Sequence, residues 1–158
     1  MRAIEFFAVL IVAIAQYQVL QAPPERRDSI AITCEMQHEF YRLWAASEFG
    51  RHPYAIERAA WIVNLPRNQR GLMNWPQSLE SVREEWKGAL PGNAIALVHT
   101  HPNFADPKPS RGDIKAARQI RLPIYTVSRS GIWMVTPDGR IVLLLGERWY
   151  EFAANSCG

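Results

Sequence analysis

Ala94-Ile95-Ala96-Leu97-Val98-His99-Thr100-His101-Pro102 is an apolar run that ends in two histidines and a proline. The apolar residues predict a buried strand, and Pro102, which has no N–H to give to a ladder, predicts its end. Strand side chains alternate between faces, so His99 and His101 share one face at the C-terminal end of the strand while Thr100 points to the other. Two imidazoles placed in this way can grip one divalent metal ion.

A third ligand follows from the next element. Beyond the proline-bordered loop 102–109, Ser110 stands at a helix start, and Ile114, Ala117 and Ile120 continue as an apolar helical stripe. Asp113 lies in the first turn, where the helix dipole favours a carboxylate, and from there it can reach back toward the strand end. Ser110-x-x-Asp113 also reads as an ordinary capping signature. Together with the histidines it supplies three protein ligands and leaves one position open, the pattern of a catalytic zinc; a structural zinc is closed by four ligands, usually including cysteines. Neither Cys34 nor Cys157 is near the motif in sequence. Amidohydrolases also use a strand-end H-x-H, but their barrel typically needs about 250 residues, far more than the 158 here.

The run from His99 to Ile114, HTHPNFADPKPSRGDI, resembles the metal motif of the JAMM metallopeptidases, the catalytic JAB/MPN domains, whose pattern is H-x-H, seven residues, then S-x-x-D. This chain has eight residues between His101 and Ser110. The extra residue falls in a loop, where an insertion is tolerated best, and the placement of Asp113 depends on that loop. The resemblance runs from about Tyr54 to the strand near Leu145, with high specificity at the H-x-H-P and S-x-x-D elements and low specificity elsewhere. It implies an α/β fold of JAB/MPN (cytidine-deaminase-like) type, a mixed β-sheet sandwiched by helices with the metal site at the end of a central strand. It implies one Zn2+ per chain on His99, His101 and Asp113, and hydrolysis of a peptide or isopeptide bond by a metal-activated water.

The resemblance also implies an upstream glutamate to handle the protons of that water. Glu57 is the candidate, because it immediately precedes Arg58-Ala59-Ala60-Trp61-Ile62-Val63, which reads as a strand. Glu48, at the end of a predicted helix, is the second choice. The family's matching serine, here Ser110, helps to stabilise the oxyanion, so capping and catalysis compete for one hydroxyl. The partner expected is a peptide or protein substrate. Two other readings stay open: a catalytically silent MPN-type binding module, and a zinc-dependent amidase acting on a small molecule.

The N-terminus has its own pattern. Met1 and Arg2 precede a wholly apolar stretch from Phe6 to Ala15, and Leu20-Gln21-Ala22 stands before two prolines. Residues 1–22 thus read as a secretory signal, despite Glu5 in its first part, and the expected location is secreted or periplasmic. The apolar core is shorter than the roughly 20 residues that span a bilayer, so membrane contact is expected only through an uncleaved signal. Residues 23–33 read as a linker rich in proline and charge, and residues 34–158 as one metallopeptidase domain long enough for a core.

The formal net charge of +3 is mild and its basic residues are dispersed, which argues against a nucleic-acid partner. Arg111, Lys115, Arg118 and Arg121 group around one helix as a solvated face. Cys34 and Cys157 are the only cysteines. An exported chain would let them pair, closing a long loop worth on the order of 4–5 kcal/mol, and two free thiols are the other reading.

Elsewhere, Cys34–Glu48 sets Met36, Phe40, Leu43 and Trp44 on one face of an amphipathic helix, and Arg58–Asn64 reads as a strand. The segment 65–93, with Pro66, Pro76 and Pro91, takes no firm assignment beyond a short helix at Ser78–Lys87, and Trp75 and Trp86 are expected to pack. Pro123–Val127, Gly131–Thr136 and Arg140–Leu145 read as three strands, the last two joined by a Pro137-Asp138-Gly139 turn.

Overall fold

Six strands form one sheet in the order β2-β1-β3-β4-β5-β6, comprising β1 (Ala59–Asn64), β2 (Arg70–Asn74), β3 (Ala94–Thr100), β4 (Ile124–Ser128), β5 (Gly131–Val135) and β6 (Ile141–Leu145). The computed structural model describes residues 32–51, 56–76 and 86–153. The proposed signal, most of the linker, most of the expected helix at Ser78–Lys87, and Cys157 lie outside these residues. Among the described residues there are three α-helices: α1 (Cys34–Ala46), α2 (Arg111–Ile120) and α3 (Trp149–Ala153). All strand pairs are antiparallel except β3 with β4. That parallel pair needs a crossover, and α2 supplies it. No helix among the described residues is long and apolar enough to cross a membrane.

The two faces of the sheet bury different helices. On one face Met36, Phe40, Leu43 and Trp44 of α1, with Trp149 of α3, pack on Ala60, Ile62, Val98, Tyr125 and Met134. On the other, Ala116, Ala117 and Ile120 of α2 pack on Trp61, Leu97, Ile124 and Val135. Phe40, Trp61, Ile62, Leu97 and Ile124 have no exposed surface, and each such side chain contributes roughly 1.5–3 kcal/mol through burial. Trp75 and Trp86 do pack, with ring centroids 5.4 and 5.9 Å from that of Trp61.

α1 begins at Thr33, whose hydroxyl accepts from the Met36 N–H at 3.3 Å. It ends earlier than its sequence pattern predicts. Ser47 caps it, with its hydroxyl donating to the Trp44 carbonyl at 2.7 Å, and Glu48, Phe49 and Gly50 then take φ values of 55°, 56° and 66°. This left-handed turn redirects the chain toward the end of β3. A Cβ on Gly50 would lie 2.8 Å from Asn103 Oδ1 and 3.1 Å from the His101 carbonyl, so glycine allows the close approach. β2 and α3 were not expected from the sequence pattern. Cys34, at the start of α1, is disulfide-bonded.

Candidate metal centre

β3 is flanked by β1 and β4, so its C-terminal end opens near the middle of the sheet rim. His99 and Thr100 are its last residues, and the His101 N–H still donates to the Val127 carbonyl at 2.9 Å, which holds the second histidine in strand geometry. Both imidazoles project to the α2 face. Thr100 turns away, and its hydroxyl accepts from the Arg58 N–H at 2.9 Å.

Ser110 starts α2 through a reciprocal capping box. Its hydroxyl accepts from the Asp113 N–H at 3.2 Å, while Asp113 Oδ2 accepts from the Ser110 N–H at 2.6 Å and from the Ser110 hydroxyl at 2.8 Å. The two carboxylate oxygens thus have different fates. Oδ2 is fully occupied, whereas Oδ1 is buried without a hydrogen bond and lies 3.2 Å from His99 Nε2. The loop with the extra residue delivers Asp113 to the histidines.

His99, His101 and Asp113 are 3%, 5% and 1% exposed. One donor atom from each lies within 4.8 Å of the others. Among the described residues no lysine or arginine pairs with Asp113, and a buried carboxylate without a compensating cation is costly. The His99–Asp113 approach does not supply that compensation as a hydrogen bond, since it is not aligned as one. A tetrahedral ion with bonds of about 2.0–2.1 Å would hold neighbouring donors roughly 3.3 Å apart, close to the 3.2 Å between His99 Nε2 and Asp113 Oδ1. Two imidazoles and one carboxylate oxygen therefore fit a divalent ion.

Neighbouring groups orient these donors. His101 Nδ1 lies 2.7 Å from the Asp106 carbonyl, which fixes the tautomer with the proton on Nδ1 and turns Nε2 toward the cluster. His99 stacks edge-on against His101, with centroids 4.9 Å apart, and its Nε2 is 3.1 Å from the Thr126 hydroxyl on β4. Its Nδ1 has no hydrogen-bond partner. Asp106, Thr126 and Gly50 have no assigned part in the site at the level of sequence. Asp106 acts through its backbone, which leaves no side-chain signal, and Thr126 depends on strand order.

Burial, and then the adjacent His99, push the His101 pKa from the usual 6.5 down to about 4. The folded state thus resists a proton that the unfolded chain accepts. Stability from this group is complete above about pH 6.5 and declines as the pH falls through the window to about 4. The melting temperature of chelator-treated protein is therefore expected to drop between pH 7 and pH 4.5; a flat profile across that interval would contradict the neutral, buried assignment.

Glu57 precedes β1 and is 8% exposed. Ala59 pairs with His99, and the Arg58 carbonyl accepts from the Thr100 N–H at 2.9 Å, so Glu57 lies just before the paired residues of β1, at the end of β3 that carries His101. Glu48, the second candidate base, is exposed in the left-handed turn after α1. The Ser110 hydroxyl donates its proton to Asp113 Oδ2. Ser110→Ala is expected to cost about 1 kcal/mol through loss of the cap, read as a lower denaturation midpoint; unchanged stability would show that the cap contributes nothing.

No protein-family model matches the chain, and no curated protein is significantly similar to it in sequence. The donor set itself therefore carries the functional reading.

Proposed function

We propose that this chain is a zinc-dependent metallopeptidase or isopeptidase of JAMM type, with a JAB/MPN-like fold, acting outside the cytoplasm. One observation carries the proposal: a buried pair of strand-end imidazoles and one unsatisfied carboxylate oxygen converge within 4.8 Å. Three protein donors leave a position for water or substrate, as hydrolytic zinc sites do. Two imidazoles with a single carboxylate suit zinc better than magnesium or calcium, which prefer all-oxygen shells.

His99, His101 and Asp113 would hold the ion. When bound, zinc supplies Lewis acidity, lowering the pKa of water toward neutrality and polarising the scissile carbonyl. Glu57, buried just before β1, accepts the proton of the attacking water and returns it to the leaving nitrogen. Ser110 fixes Asp113 through the capping box, and a role as oxyanion donor would require its proton to leave Asp113 Oδ2. The disulfide-bonded Cys34 supports an oxidising compartment.

Zinc-loaded protein is expected to cleave peptide or isopeptide substrates, to stop when a chelator removes the metal and to recover when zinc is restored. Turnover that continues at full rate after complete metal removal would overturn the proposal.

A further inference from the structure

A groove is lined in part by the loop 102–109, which joins the two histidines to the start of α2. Two adjoining clefts of about 470 and 540 Å³ form it, and they share Asn103, Arg129 and Tyr150. Each is within the range of roughly 300–1,000 Å³ typical of ligand sites. Neither contains a metal ligand. The groove is nevertheless tied to the metal centre, because Asn103 stands two residues after His101. Its amide donates to the Phe49 carbonyl at 3.0 Å and its N–H to the Gly50 carbonyl at 2.9 Å. Pro102 and Pro107, on either side of the Asp106 carbonyl that orients His101, line the first cleft.

The lining combines aromatic faces with cations. Tyr41, Phe49 and Tyr150 are half-buried there. Arg148 is neutralised by Glu151, with bonds of 2.6 and 2.8 Å. Arg129 and Arg51 have no carboxylate partner among the described residues, and Arg51 instead rests over the Phe49 ring at 5.5 Å. Two uncommitted guanidiniums beside aromatic rings match a ligand with carboxylates and apolar side chains. Glu147 lines the same groove and opposes a continuous chain of phosphates, so a short acidic peptide fits better than a nucleic acid.

We propose that this groove is an exosite for a short acidic, aromatic-containing segment of the peptide substrate, with Arg51 and Arg129 receiving its carboxylates. The exosite role rests on the metallopeptidase reading, and the groove's binding can be measured apart from it. The probe is a fluorescein-labelled octapeptide alternating glutamate and phenylalanine, followed by anisotropy on the full chain with zinc and again with chelator. A lysine-for-glutamate peptide and an oligothymidylate of equal length serve as competitors in charge and class.

The acidic peptide is expected to bind wild-type protein in both metal states. The double variant Arg51→Glu/Arg129→Glu should weaken it by about tenfold or more and should gain affinity for the lysine peptide, a reversal that misfolding cannot produce. Equal binding of the acidic and lysine peptides to wild type, unchanged affinity in the double variant, or equally tight binding of oligothymidylate would overturn the groove assignment. Peptide binding in a protein that takes up no zinc and hydrolyses nothing would instead overturn the metallopeptidase reading, and the exosite role with it.

Discussion

His101→Ala is expected to reduce the metal content of the purified protein from about one zinc per chain to near zero. Three protein donors are the minimum of a catalytic site, and removal of one leaves an imidazole and a carboxylate that cannot define the ion's geometry. Losing only an outer partner of a ligand typically costs 10–100-fold in affinity, so loss of a ligand should cost well over about a hundredfold. A second readout separates metal loss from misfolding. Zinc at about a thousand times its dissociation constant should stabilise wild-type protein by roughly 4 kcal/mol, because the ion binds the folded state alone. The variant should show no zinc-induced rise in melting temperature while unfolding cooperatively in the presence of chelator. A variant that keeps its zinc, or still gains stability from it, would exclude His101 as a ligand.

Glu57→Gln is expected to leave metal content unchanged and to lower kcat by about 10²–10⁴-fold, the usual contribution of a positioned general base. The amide keeps the size and polarity of the side chain but cannot accept the proton of water at neutral pH. Glu57 lies outside the proposed ligand set, two residues before Ala59, the β1 residue paired with His99, so the substitution should separate chemistry from metal binding. A kcat/KM within a few-fold of wild type would refute its role as the base. Loss of zinc would show that Glu57 supports the metal rather than the reaction.

The elements that hold the centre were legible because each had a periodic or chemical signature. Ala94–Val98 is continuously apolar and is buried between β1 and β4, and Met36, Phe40, Leu43 and Trp44 follow helical spacing onto the sheet. The capping pair Ser110 and Asp113 is local in sequence, so its geometry did not depend on tertiary context. β2 escaped because its residues are mostly exposed or half-buried, which removes the alternation that marks a half-buried strand; pairing with β1 alone makes it a strand. α3 is only five residues long and presents no repeat.

Other parts of the centre are properties of the fold. Thr126 reaches His99 because β4 lies parallel beside β3 across the α2 crossover, an adjacency that neither segment encodes by itself. The Asp106 carbonyl orients His101 through a loop conformation, and the left-handed turn at Glu48–Gly50 supports that loop from a distant part of the chain. The one-residue-longer loop was the weak point of the sequence motif. In the folded chain it folds back, with the Ala105 N–H donating to the Pro102 carbonyl at 3.0 Å, and Asp113 Oδ1 arrives 3.2 Å from His99 Nε2.

Anomalous diffraction at the zinc absorption edge, on crystals of wild-type protein grown with zinc, tests the metal assignment most directly. The expected map contains one strong peak per chain at bonding distance, about 2.0–2.2 Å, from His99, His101 and Asp113 Oδ1. A map with no peak among these three residues, or with the ion bound elsewhere, would contradict it.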